Sequence, residues 1–119
     1  MKISKVFGLV FIFFVFFISL ALATPPSEIV LNYDQKAQLL HVEVKHPTKN
    51  IREHYIRYLT ILLNNVEVKK IRYTHQENAA GFTEEVPVAA VANDVIKAEA
   101  ICNKGGDKTQ ELVVGQETK

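Results

Sequence analysis

An immunoglobulin-like, seven-stranded antiparallel β-sandwich, all-β throughout, is the fold this 119-residue chain predicts. Three observations carry that expectation. Short runs of β-branched and aromatic residues recur from residue 28 to residue 114, several with strict alternation of apolar and polar side chains. Turn-forming residues separate these runs at intervals of about 8–12 positions. No stretch has the periodicity of a convincing amphipathic helix, although "VPVAAVA" could form a single turn.

The elements follow in order. Residues 1–23 read as a secretory signal peptide: Lys2 and Lys5 form a basic start, Val6 to Leu20 is almost wholly apolar, and Ala21-Leu22-Ala23 offers a cleavage site. Cleavage there leaves Thr24 first, a single domain over residues 24–119, and no membrane attachment. In the mature part, "EIVLNY" (28–33) is the first strand. "LLHVEVKH" (39–46) is the second, with Leu40, Val42, Val44 and His46 on one face and His41, Glu43 and Lys45 on the other. "HYIRYLTILL" (54–63) is the third and ends at Asn64-Asn65, residues suited to the positive φ of a two-residue hairpin. "VEVKKIRYTH" (66–75) returns as the fourth. "FTEEVPVA" (82–89) is the fifth, and Pro87 assigns it to an edge or a bulge. "VIKAEAIC" (95–102) is the sixth, with Ile96, Ala98, Ala100 and Cys102 inward, and "QELVV" (110–114) closes the series.

Charge and composition exclude several functions. Losing Lys2 and Lys5 with the leader leaves 12 basic against 13 acidic residues, a net charge of −1 over 96 residues. These charges are interspersed, so no electrostatic footprint for nucleic acid exists. Serine occurs only at positions 4, 19 and 27, which removes a serine nucleophile from the folded part, and no glycine-rich phosphate loop is present. The single cysteine, Cys102, has no partner for an internal disulfide in an exported chain. It is a buried inert thiol, an intermolecular link, or a ligand or reactive group.

Strand order gathers the chemistry. Consecutive strands with short connections run antiparallel, so the ends of the second, fourth and sixth strands and the start of the third share one end of the sandwich. His46, His54, His75 and Cys102 therefore fall at that end, whereas His41 lies near the other end on the outward face. Imidazoles and a thiolate converging among strand-end loops suit a transition metal, so His46, His54, Cys102 and His75 are the candidate ligands.

The run "KHPTKNIREHYI" (45–56) followed by "EAICN" (99–103) resembles the iron domain of superoxide reductases, the desulfoferrodoxin and neelaredoxin family. That family has a histidine before proline, a second histidine opening "H-[HY]-I" and a late "C-N-x-H" turn, on an immunoglobulin-like sandwich. The resemblance spans about Ile29 to Val114. It implies iron held by four equatorial histidines, His46 and His54 among them, with Cys102 as the axial thiolate and a sixth position open to superoxide. Departures accompany it. Gly105 stands where "C-N-x-H" has histidine, the family's early histidine has no counterpart except the misplaced His41, and its lysine loop is missing. No family motif supports His75.

Three readings follow. The first is a superoxide-reductase-type oxidoreductase with a mononuclear iron cofactor, a small anion (superoxide) drawn by Lys45 or Lys49, and a redox partner protein. The second is a binding module whose reduced ligand set takes zinc or copper. The third is a metal-free, periplasmic protein-interaction domain, in which Cys102 fills the core and a strand edge or the loops dock a partner. A blue-copper carrier lacks support, because Met1 is the sole methionine.

Overall fold

The computed structural model describes residues 25–116. The proposed signal peptide, 1–23, lies outside them. Seven strands form: β1 (Glu28–Asp34), β2 (Leu39–Lys45), β3 (Ile56–Leu63), β4 (Val66–Arg72), β5 (Gly81–Pro87), β6 (Val95–Cys102) and β7 (Asp107–Val113). All pairings are antiparallel, within a three-stranded sheet of order β1-β2-β5 and a four-stranded sheet of order β4-β3-β6-β7. No helix occurs among the described residues.

The side-chain period of two decides which residues enter the core. In β2, Leu40, Val42 and Val44 are buried while His41, Glu43 and Lys45 are exposed. In β6, Ile96, Ala98, Ala100 and Cys102 are buried. With Ile29, Leu31, Ile56, Leu59, Ile61, Phe82 and Val86 they belong to one continuous cluster between the sheets. Each large aliphatic side chain so buried contributes about 1.5–3 kcal/mol relative to exposure.

β3 departs from simple alternation: Leu59, Thr60 and Ile61 are all buried. It is an interior strand, paired on both sides, and its register is interrupted on both. Against β6, Ile56 pairs with Cys102 and Tyr58 with Ile101, so Arg57 is the extra residue of a bulge. The Arg57 carbonyl accepts a hydrogen bond from the Tyr73 amide at 2.8 Å.

The turns use residues that tolerate their geometry. Asn64 and Asn65 have φ of 50° and 67°, as a two-residue hairpin between β3 and β4 requires. Pro87 ends β5, an edge strand, where a missing N–H costs no ladder bond on the solvent side.

Two tyrosines tie distant segments together. Tyr33 donates through its hydroxyl to the Val88 carbonyl at 2.5 Å and accepts from the Ala90 amide at 3.1 Å. Tyr73 packs its ring on Phe82, with centroids 4.7 Å apart, and donates to the Glu84 carboxylate at 2.9 Å. It thereby joins the end of β4 to β5 in the other sheet. Burial first, then the bond to Glu84 and its negative charge, push the Tyr73 phenol well above its ordinary range.

Two outcomes are expected. Ile61→Ala should cost about 2–5 kcal/mol in urea denaturation, whereas Val68→Ala on exposed β4 should stay within about 0.5 kcal/mol. Tyr73 is raised in the folded state, so its contribution is complete below the unfolded phenol's pKa of about 10 and lost as pH rises beyond it. The wild-type urea midpoint should therefore fall between about pH 8 and about pH 11 by more than that of Tyr73→Phe.

Candidate metal centre

His46 directly follows β2, and its side chain continues the inward row of Leu40, Val42 and Val44, fully buried. Across the sandwich, Ile56 at the start of β3 is paired with Cys102 at the end of β6. The bulge at Arg57 sets this pairing, and His54 lies two residues before Ile56. One side chain thus comes from the three-stranded sheet and two from the four-stranded sheet. They meet where the core opens toward the loops.

One ligand atom each from His46, His54 and Cys102 lies within 4.8 Å of the other two. The two imidazoles are edge-on, with ring centroids 4.7 Å apart and planes at 86°. Ligands of a tetrahedral site with bonds of about 2.0–2.3 Å are themselves about 3.3–3.6 Å apart. The observed spread is close enough for small side-chain rotations to close it. The donor set, two imidazoles and a thiolate, is the type that borderline and soft transition metals prefer.

Each histidine is held by a carboxamide. Asn103 accepts from the Tyr55 amide at 2.9 Å through its side-chain oxygen and donates to the Glu53 carbonyl at 2.9 Å through its side-chain nitrogen. Its backbone amide donates to the Tyr55 carbonyl at 3.0 Å. Asn103 therefore grips both neighbours of His54 and extends the β3–β6 pairing one step past Cys102. Gln76, 1 % exposed, holds His46 itself. Its Oε1 is 2.7 Å from His46 Nδ1, and its Nε2 donates to the His46 carbonyl at 2.7 Å.

The loop after β6 wraps the sulfur. The Lys104 amide donates to Cys102 Sγ at 3.5 Å. The Gly105 amide donates to the Cys102 carbonyl at 3.1 Å, closing a tight turn. Gly105 has φ of +98°, a conformation strained for any residue with a side chain. A histidine at this position, as in the family pattern, would need a differently shaped turn.

The other expected positions are accounted for differently. His75 lies outside the three-residue group: β4 stops at Arg72, and His75 is exposed in the following loop with Nδ1 3.2 Å from Thr74 Oγ1. It lines a separate depression with Tyr73, Glu77 and Glu84. His41 is exposed and lies 3.3 Å from Glu85. Of the two lysines expected at the rim, Lys45 pairs with Glu28 at 3.2 Å. Lys49 lines a depression of about 520 Å³ beside His54, together with Lys104, Glu53 and Pro47. Gln76 is the site residue that sequence reasoning misses. A glutamine in a polar loop carries no local signal, and only its burial distinguishes it.

Comparison with solved structures finds four similar chains, among them the following two. A superoxide reductase (neelaredoxin) from Ignicoccus hospitalis aligns over 72% of this chain and 77% of its own, with 18% identity and a TM-score of 0.48. A hypothetical protein from Pyrococcus horikoshii OT3 aligns over 73% of this chain and 88% of its own, with 19% identity and a TM-score of 0.47. No protein-family model and no curated protein sequence matches the chain.

Gly81 guards the approach to His46. Its φ is +142°, and a Cβ built there would lie 1.9 Å from the Val44 carbonyl oxygen and 3.1 Å from the His46 amide nitrogen. Gly81→Ala should therefore separate β5 from β2 at this point and disturb the His46 ring. Chemical shifts of Val44 and His46 should move while those of the Asn64-Asn65 hairpin at the opposite end stay in place.

Proposed function

We propose that this chain is an exported superoxide-reductase-like domain that holds one transition-metal ion through His46, His54 and Cys102. The observation that carries the reading is the convergence of these three ligand atoms within 4.8 Å, from the end of β6 and the residues flanking β2 and β3. The family resemblance of the motifs around the same three residues favours iron as the metal. A metal in this position would supply an open coordination site and one-electron chemistry, with the thiolate as its electron-rich ligand.

The chain's own residues would prepare that site. The backbone amide of Lys104 directs a hydrogen bond to Cys102 Sγ. Lys49 and Lys104 line the depression beside His54 and would draw a small anion such as superoxide toward it, against the single opposing charge of Glu53. A redox partner protein would supply electrons at the same end.

Zinc or copper is the second reading, favoured by the number of converging donors. Three protein ligands with space for a fourth match a tetrahedral site directly, while the family's iron site takes five. Metal analysis of protein purified without an affinity histidine tag separates the two. Stoichiometric iron with a thiolate charge-transfer band supports the reductase-like centre. Zinc or copper supports the binding module, and no metal at any loading leaves the sandwich as a protein-interaction domain.

Cys102→Ser should abolish stoichiometric metal uptake, whereas His41→Ala should leave it unchanged. Equal metal content in both variants and the wild type would remove the assignment. Export is tested separately: N-terminal sequencing of protein recovered outside the cytoplasm should begin at Thr24.

A further inference from the structure

Gln76 makes more bonds than a loop glutamine needs. Its side-chain Nε2 lies 2.7 Å from the His46 carbonyl oxygen and 2.9 Å from the Asn78 carbonyl oxygen. Its Oε1 lies 2.7 Å from His46 Nδ1 and 3.4 Å from the Ile56 amide. Its own amide donates to the Ile51 carbonyl at 2.8 Å. One side chain thus spans the end of β2, the start of β3 and the loop before β5.

These partners leave the carboxamide one orientation. Backbone carbonyls only accept, so the NH2 group must face His46 and Asn78; rotated by half a turn, it would set oxygen against oxygen. Oε1 consequently faces His46 Nδ1, and because an amide oxygen only accepts, Nδ1 must carry the proton. A neutral imidazole protonated at Nδ1 has its lone pair on Nε2. His46 and Gln76 are 0% and 1% exposed, so bulk water does not compete for this bond.

We propose that Gln76 is a positioning residue that holds His46 as the Nδ1–H tautomer, so that Nε2 is the nitrogen offered to a metal. The tautomer assignment stands on the hydrogen bonds alone; its consequence for metal binding rests on the function proposed above. The arrangement is that of an outer partner fixing a ligand's ring by bonding its second nitrogen. A neutral carboxamide does this without adding charge, which distinguishes it from a carboxylate partner.

Long-range proton–nitrogen NMR on the metal-free protein reads the tautomer directly, at a pH where the ring is neutral. The expected result is a pyrrole-like Nδ1 and a pyridine-like Nε2 at His46 in the wild type. A predominant Nε2–H form overturns the proposal, whatever any variant does. Gln76→Met keeps much of the volume and removes all four side-chain bonds, both of those to His46 among them. In the folded variant His46 should lose its single tautomer, and cobalt(II) affinity should fall about 10–100-fold, with thiolate-to-cobalt absorption retained at saturation. An unchanged tautomer or unchanged affinity in that variant overturns the role assigned to Gln76. If the wild type takes up no cobalt, the metal-binding reading fails while the tautomer of the metal-free protein still decides the role of Gln76.

Discussion

The pairing of Ile56 with Cys102 is the constraint on which the rest of the arrangement depends. It joins the start of one interior strand to the end of the other, and both residues point into the core. From there the chain has little freedom. Two residues back from Ile56 is His54, and one residue on from Cys102 is Asn103, which binds the backbone on either side of that histidine. The opposite wall comes from β2, whose inward row must end at His46 because the period of a strand is two.

A pair of carboxamides does for the histidines what the β ladder does for the strands. Each uses the donor and acceptor of one planar group to satisfy backbone atoms that the sheet no longer pairs. Polar atoms at the mouth of a core are costly unless bonded, so these bonds hold the loops as well as the histidines. The same requirement explains the tight turn at Gly105. A loop drawn in to bond Cys102 through its amides has no room in its backbone geometry for an ordinary side chain conformation.

Much of this is legible in the sequence, for reasons that also set the limits. β6 and β2 alternate cleanly, so the pattern of apolar and polar residues alone identifies their inward faces, including Cys102 and His46. Asn64-Asn65 marks its hairpin because few residues accept positive φ at two successive positions. β3 is harder: a strand buried on both sides shows continuous apolar residues, and its bulge at Arg57 has no signature of its own. Strand parity places the end of β4 at the correct end of the molecule but cannot say where the strand stops. It stops at Arg72, and the loop beyond it buries Gln76 while leaving His75 in solvent. Which of two adjacent polar residues turns inward depends on the carbonyls waiting there, and these belong to His46, thirty positions away, and to Asn78 across a turn.

The origin of the three donors has a mechanical consequence. One comes from the smaller sheet and two from the larger, so any cation gripping all three would act as a cross-brace between layers otherwise joined at this end by side-chain contacts and loop bonds. Its binding energy would appear as resistance of the two layers to sliding or parting, concentrated at one rim. The far rim, with the Asn64-Asn65 hairpin, would gain only through the cooperativity of the whole.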